Sequence, residues 1–487
     1  MRKFLCLFLC VFCVSFYSGC KKSELRLNEY DICITLNEDM TLDGELTLNY
    51  FNNTKGEIDV LEFMLYPNAF SKGSKIKPIY SEYVDKAFES GISYGGIDVI
   101  NVNTDSTALN YEVINEDSHF LKVYLDKALK KGASAKINVE FFITLPNVKH
   151  RFGYTQNTVN LTGFYPILCP LENGEYYKSV YCASGDPFYS EVANYKVDFK
   201  VPSNYVIASS MLPTGVLVEG QNTNYYYERN CVREVAFILS KNFNVVKNSI
   251  NGVDVFYYYY QDKNAENSLE TAVKAIAFFS SKIVKYPYNE YVFCEADFIY
   301  GGMEYPCLTM IDSSLSDFER DYTIVHETAH QWWYGLVGVN QNENAFIDEG
   351  LTEYSTTLFF DNYKEYNKSK LELLTAVYNA YFELRKSLSK QQSVTPKMNK
   401  NLREFTSDID YVSIAYYRSQ LMFYELSNFM GENRFNSFLK SLCKEYAYKN
   451  LTLNNFLLCA EKYKKGAKSF LLDYINGKSV VKEPKNY

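Results

Sequence analysis

The sequence predicts an α+β protein with two domains. An N-terminal antiparallel β saddle or sandwich is expected over residues 21–242, and a mostly helical domain over residues 243–487. In the first part, Leu42–Tyr50 and Asn194–Val201 alternate apolar and polar residues, which is the period-two pattern of half-buried strands. In the second part this alternation gives way to apolar residues at helical spacing. A chain of 487 residues has room for two or three domains.

The helical part begins with Ser268–Val284, where apolar residues recur every three or four positions until Pro287 ends the pattern. Ser316 and Glu319 then form a capping box, which predicts the start of another helix. After residue 350 the spacing predicts five further helices. These are Leu351–Phe360, Leu371–Leu388, Ile414–Met430, Asn436–Tyr446 and Asn454–Lys464.

A strand is predicted over Tyr291–Tyr300, and it runs directly into Gly301 and Gly302. Glycines at the end of a strand let a second backbone approach closely, as an extended peptide does when it adds to the edge of a sheet. The sequence therefore predicts a sheet edge that can receive a peptide.

The helix after the capping box carries a metal-binding pattern. His326, Glu327 and His330 form H-E-x-x-H, and Glu349 follows after eighteen intervening residues. Histidines four apart on a helix lie on one face, so their rings converge. Two imidazoles and a carboxylate are the three protein ligands of a catalytic Zn²⁺ site with one open position. Glu327 is placed to take a proton from the water there.

The alternative interpretation of this pattern is a helix surface with two solvated histidines. The chain has only four histidines, and two of them fall in the motif. The expected helix start and the later carboxylate both favour the zinc site.

His326–Trp333, Asp348–Leu351 and Gly301–Tyr305 together resemble the M1 (gluzincin) family of zinc aminopeptidases, in its bacterial M1-like form. The resemblance implies a thermolysin-like catalytic domain. It also implies one Zn²⁺ per chain, held by the two histidines and Glu349, and removal of N-terminal residues from peptides by zinc-activated water, with Glu327 as general base. Many family members continue into a large C-terminal helical domain; this sequence leaves no room for one, so we expect a zinc cleft open on one side.

The resemblance also assigns substrate contacts. Gly301, Gly302 and Met303 would hold the substrate backbone, and Glu304 would pair with its free α-ammonium. Because the amine is anchored there, the expected substrates are peptides with a free N-terminus.

Two further roles follow from the resemblance. Tyr416 matches the tyrosine that donates to the oxyanion, with Tyr411 and Tyr417 as nearby alternatives, and Arg418 stands where the family has lysine. The family often adds a second amine anchor from the β-domain. In the corresponding region, 154–162, the sequence has no carboxylate, and Gln156 or Asn160 would have to serve.

The N-terminus reads as a targeting segment, residues 1–20. Arg2 and Lys3 precede an apolar stretch, Phe4–Tyr17, and the small residues before Cys20 form an exit site. Cys20 resembles the lipidated cysteine of a bacterial lipoprotein box, although Tyr17 stands where that box usually has an aliphatic residue. An ordinary signal peptide or an uncleaved anchor is the alternative. We expect an exported protein attached to the outer side of the cytoplasmic membrane or to the cell envelope.

Composition bears on nucleic-acid binding, on the state of the cysteines and on the two remaining histidines. The formal charge is −8 with no long basic run, so nucleic acid is not an expected partner. Eight of the twelve cysteines lie beyond residue 20 without a C-x-x-C, which predicts buried thiols. Cys169 with Cys182 is the one nearby pair that we consider for a disulfide. His119 and His150 are interpreted as ordinary surface or satisfied histidines.

Two alternatives to an aminopeptidase stay open. One is an exported M1-like binding protein with reduced turnover, and the other is a different zinc hydrolase activity, such as the epoxide hydrolysis known in the family. The intact set His326, Glu327, His330 and Glu349 favours the aminopeptidase.

Overall fold

The computed structural model describes residues 26–114, 119–389 and 395–485. The targeting segment and Cys20 lie outside these ranges, so export and lipid attachment stay predictions from the sequence. None of the helices in the described ranges combines the length and the apolar character needed to cross a bilayer.

The first half of the chain consists of strands with one short helix, α1 (Val84–Ala87). The strands are β1 (Glu29–Leu36), β2 (Thr41–Phe51), β3 (Ile58–Met64), β4 (Gly96–Asn103), β5 (Asn110–Ile114), β6 (Phe120–Leu129), β7 (Ser134–Thr144), β8 (Gly153–Tyr154), β9 (Val159–Leu161), β10 (Ile167–Leu168), β11 (Leu171–Glu172), β12 (Glu175–Tyr176), β13 (Ala193–Pro202), β14 (Val206–Ser209), β15 (Pro213–Glu219), β16 (Asn222–Val232) and β17 (Phe237–Ser240).

These strands form a seven-stranded sheet, in the order β15-β16-β13-β1-β2-β7-β4, and two four-stranded sheets, β10-β3-β6-β5 and β14-β17-β9-β8. The two segments with period-two alternation lie within β2 and β13, so those strands were correctly predicted. Alternate residues of β2 are buried because one face of the sheet covers the core. The pairing is antiparallel except between β1 and β13, which run parallel.

The second half places helices around a five-stranded sheet of order β18-β19-β20-β22-β21. The strands of this sheet are β18 (Asn244–Ile250), β19 (Val253–Tyr259), β20 (Glu290–Ala296), β21 (Gly302–Met303) and β22 (Leu308–Asp312). Two further strands, β23 (Val337–Val339) and β24 (Lys449–Leu451), pair with each other as a separate sheet. The helices of this half are α2 (Ala265–Lys282), α3 (Asp317–Ala329), α4 (Gln341–Asn362), α5 (Lys370–Leu388), α6 (Asp408–Tyr411), α7 (Ser419–Met430), α8 (Glu432–Tyr446), α9 (Leu453–Tyr463) and α10 (Ala467–Ile475).

The α+β class is confirmed, and each predicted helix overlaps an observed one. Two helices differ in extent. α4 begins at Gln341, ten residues before the predicted start, and a π-helical turn, Val412–Arg418, precedes α7 within the single helix predicted there. The predicted domain boundary between residues 242 and 243 stays a prediction; it falls between β17 and β18, which belong to different sheets.

Arg233 joins the two halves close to the zinc motif. Its side chain is buried and donates hydrogen bonds to the carbonyl oxygens of Tyr334 (2.8 Å), Ser190 (3.0 Å) and Lys449 (2.7 Å). Tyr334 follows the second histidine of the motif by four residues, so this contact holds the chain where it leaves α3.

The eight cysteines of the described residues are all free, including Cys169 and Cys182. Five of them are buried, as expected, whereas Cys33 is exposed. Of the two interpretations of His119 and His150, the surface position is wrong, because both are buried. Nε2 of His119 lies 3.1 Å from Oγ of Ser74, as in a satisfied histidine. The ring of His150 packs between aromatic rings, with Phe70 at 5.3 Å and Tyr300 at 5.5 Å between centroids.

Candidate active site

Helix α3 presents the two histidines of the motif. It starts where the capping box predicts, with the backbone N–H of Ser316 donating to Glu319 at 3.2 Å. It ends at Ala329, and His330 is the residue that caps it. His326 is 6% exposed and His330 is 1% exposed, so neither is a solvated surface histidine.

Three atoms from two helices converge beside α3. Nε2 of His326 lies 3.1 Å from Nε2 of His330, and Oε2 of Glu349 lies 3.5 Å from the first and 3.4 Å from the second. Atoms that each bind one Zn²⁺ at about 2 Å have this mutual spacing. Oε2 of Glu349 is also buried without a hydrogen bond of ordinary geometry. The residues present therefore fit a single zinc ion, with the ligands that the sequence predicts.

Two further carboxylates of α4 orient the histidine rings. Oδ1 of Asp348 lies 2.9 Å from Nδ1 of His330, and Oε1 of Glu353 lies 3.1 Å from Nδ1 of His326. The hydrogen bond at Nδ1 of His330 leaves its Nε2 free to face the metal and raises the basicity of that nitrogen as a ligand. At His326 the contact with Glu353 is close but lacks hydrogen-bond geometry. Glu353 is buried, so it is not a solvated helix residue. Its position four residues after Glu349 on one helix face was the available signal.

Glu327 lies next to the three predicted zinc ligands but is not one of them. Burial raises the pKa of its carboxyl to about 8. Its Oε2 is buried and has no hydrogen-bond partner among the described residues. A Cβ atom built on Gly302 would lie 2.4 Å from Oε1 of Glu327. The glycine is therefore needed so that the strand and the carboxylate can approach each other.

Strand β21 forms one edge of the five-stranded sheet. It pairs antiparallel with β22, Gly302 opposite Ile311 and Met303 opposite Met310, and has no partner on its other side within the described residues. Gly301 has φ +87°, a left-handed conformation that suits glycine. Met303 is buried, whereas Gly301 and Gly302 are partly exposed. The sheet edge is present, and peptide binding along it stays a prediction.

Glu304 follows this strand and turns into the site. It is 3% exposed, and its carboxylate lines the same small space as the zinc ligands. A second grouping of potential ligand atoms joins it to Glu327 and His330. Glu304 therefore lies beside the predicted metal position, as the proposed amine anchor must.

The structure brings two tyrosines to the metal ligands. The ring of Tyr416 stacks almost parallel to that of His326, at 5.9 Å and 13°. The hydroxyl of Tyr411 lies 3.5 Å from Oε1 of Glu349. Arg418 is buried and turns away, donating to the carbonyl oxygen of Ser479 at 2.9 Å. The end of α6 and the π-helical turn thus each offer one candidate donor, whereas the sequence favours Tyr416.

The β-domain contributes a carboxylate that the sequence reading missed. Gln156 is exposed, and Asn160 donates to the carbonyl oxygen of His150 at 2.8 Å; neither lines the site. Asp186 lines it instead, paired with Arg151 at 2.8 Å. Burial, and next the negative charge of Glu304, raise the pKa of Asp186 to about 7.

A cleft of about 570 Å³ opens beside the metal ligands, next to a smaller space of about 150 Å³ around them. One wall is a face of α5, with Leu373, Ala376 and Val377. The other walls are rich in tyrosine. These residues are Tyr83, Tyr300, Tyr322, Tyr411, Tyr416 and Tyr417.

Comparison with known proteins agrees with this geometry. Residues 267–474 match the model of the Peptidase family M1 domain. The chain is 28% identical to leukotriene A-4 hydrolase of Xenopus laevis over 189 residues, 37% of this chain and 28% of that protein. It is 28% identical to human aminopeptidase B over 196 residues, 38% of this chain and 29% of that protein. The chain thus spans under a third of the length of these curated relatives.

Solved structures match over almost the whole chain. The M1 zinc metallopeptidase of Deinococcus radiodurans superposes with a TM-score of 0.67 at 16% identity, covering 95% of this chain and 96% of that one. A mutant of that protein, bound to a Tyr-Ser-Ala substrate, gives 0.65 at 15% identity, with 94% and 96% covered. At this identity the likeness concerns the fold. Residues 267–474 are therefore similar to the peptidase family M1 domain, and the chain as a whole has the fold of the Deinococcus radiodurans M1 zinc metallopeptidase.

Proposed function

We propose that this protein is a zinc aminopeptidase that hydrolyses N-terminal residues from peptides. The observation that carries the proposal is the convergence, in one cleft, of a zinc-type ligand triangle with Glu327, Glu304 and an open strand edge. The M1 domain match and the aminopeptidases among the relatives support it.

The residues of this chain have separable roles in the reaction. His326, His330 and Glu349 would hold zinc, which supplies a Lewis acid that lowers the pKa of water and polarises a carbonyl. Glu327 takes the proton of the attacking water and delivers it to the leaving amine, acting as base and then as acid. A hydroxyl of Tyr416 or Tyr411 donates a hydrogen bond to the tetrahedral oxyanion, a contribution of about 3 kcal/mol in comparable sites.

Exopeptidase action follows from Glu304 and β21. The substrate backbone adds to the free edge of β21 as an extended strand. Its α-ammonium pairs with the buried carboxylate of Glu304, which sets the first peptide bond at the metal. Asp186 faces the same space, where Arg151 balances its charge.

Free and N-acetylated peptides of several lengths test the proposal. We expect single N-terminal residues to be released from free peptides, short and long, with little cleavage of acetylated ones and full inhibition by a zinc chelator. Mass spectrometry of the products identifies the bond that is cut. Equal cleavage of free and acetylated peptides would instead indicate an endopeptidase. Zinc binding without any peptide hydrolysis would favour the binding protein or another zinc hydrolase.

Gly302→Ala is expected to lower kcat about 10²-fold, since a displacement of the general base by about 1 Å is enough for such a loss. The new Cβ would overlap Oε1 of Glu327 and push the carboxylate aside. Zinc content should stay unchanged. Gly56→Ala, with no atom within 4 Å of the added Cβ, is the matched control. Wild-type kcat in Gly302→Ala would show that the strand can shift without moving Glu327.

A further inference from the structure

Gln341 joins two functional parts of the site through one amide group. It is the first residue of α4 and is 2% exposed. Its Nε2 donates to Oδ2 of Asp348 at 2.6 Å and to Oε1 of Glu304 at 3.1 Å. Because Oδ1 of the same Asp348 lies 2.9 Å from Nδ1 of His330, an unbroken path of hydrogen bonds runs from a zinc ligand to the amine anchor.

We propose that Gln341 is a positioning residue that fixes Glu304 relative to the metal ligand His330. The inference rests on the proposed aminopeptidase function and adds a residue that the family motifs in this chain do not include. It acts through Glu304, since Gln341 itself does not line the cleft.

The electrostatics of the site explain why a donor is needed there. Glu304 and Asp348 are both buried carboxylates, and no lysine or arginine among the described residues pairs with either. Two buried anions repel and lack hydration, unless hydrogen-bond donors satisfy them. The NH₂ group of Gln341 has two donors and gives one to each carboxylate.

The amide oxygen of Gln341 indicates that stability alone does not account for this residue. Oε1 of Gln341 is buried and accepts no hydrogen bond from the residues that the structure describes. A buried acceptor without a partner destabilises the folded state. The amide is nevertheless present at this position, where its NH₂ group donates to both carboxylates.

For catalysis, this arrangement fixes the distance between the amine anchor Glu304 and the metal. In an exopeptidase, the separation of the amine anchor and the metal decides which peptide bond meets the nucleophile. Displacements of about 1 Å are costly in such sites. Through Gln341, the anchor is tied to the element that orients His330, so both move together.

Gln341→Met tests the inference, since methionine has a similar length and no donor. We expect zinc content and thermal stability close to wild type, and kcat/KM for free-amine peptides lowered about tenfold or more. In a Glu304→Ala background, the same change should have no further effect on kcat/KM, because the group through which it acts is gone. Gln341→Asn, which keeps the donors on a shorter stem, should recover part of the activity.

Gln420→Met is the matched control. Gln420 is equally buried, and its Oε1 also has no partner among the described residues. Its Nε2 donates to Oγ1 of Thr357 at 2.7 Å and to the backbone carbonyl oxygen of Glu353 at 3.3 Å. If Gln341→Met lowers kcat/KM by the same factor with and without Glu304, or if it releases zinc, the residue is structural and the inference is overturned. Unchanged activity in Gln341→Met overturns it as well. An inactive wild type would instead reject the proposed function on which the inference rests.

Discussion

Glu327→Gln is expected to keep its zinc and to lose peptide hydrolysis by about 10³-fold or more in kcat. The amide has nearly the same size as the carboxylate but cannot accept the proton of the attacking water. Glu327 lies outside the ligand triangle, so metal content should stay at the wild-type level. Steady-state kinetics on a free-amine peptide, with metal analysis of the same preparation, measure both quantities.

An exposed carboxylate supplies the control for this change. Glu372→Gln removes one negative charge from the surface of α5 and should leave kcat unaltered. Turnover of Glu327→Gln close to that of wild type would mean that another group accepts the proton.

His330→Ala is expected to remove both zinc and activity. Nε2 of His330 is one corner of the triangle formed with His326 and Glu349. The two remaining ligands alone do not make a stable zinc site. Metal analysis after dialysis should find little zinc, and peptide hydrolysis should fall to the background rate. Together with Glu327→Gln, this variant separates metal binding from proton transfer. Full zinc retention in His330→Ala would contradict the ligand assignment.

Local spacing accounts for what the sequence predicted well. His326 and His330 are one helical turn apart, so their shared face follows from helix geometry alone. The edge strand with its two glycines is also a local pattern. The residues at which helices begin were less predictable. Helix α4 begins at Gln341 because tertiary contacts, and not apolar periodicity, hold its first turns.

The contributions that the sequence reading missed depend on how distant segments pack. Asp186 comes from a β-domain loop, and its distance from Glu304 is set by the contact between the two halves. The sequence predicts Gln156 or Asn160 in this role, but that segment turns Asn160 toward the carbonyl oxygen of His150. No spacing in the chain marks the approach of Asp186 to Glu304, since these residues are far apart in sequence.

The arrangement of carboxylates around the zinc ligands has a thermodynamic consequence. Glu304, Glu327, Asp348, Glu349 and Glu353 are all buried in one small region, and among the described residues none pairs with a lysine or arginine. A divalent cation would balance part of this charge in the native state and would find no such preformed cage in the unfolded chain. Metal binding and folding are therefore linked equilibria: the free metal concentration contributes to the free energy of unfolding of the whole catalytic half. The supply of zinc to this protein would then control how much of it is folded as well as how much is active.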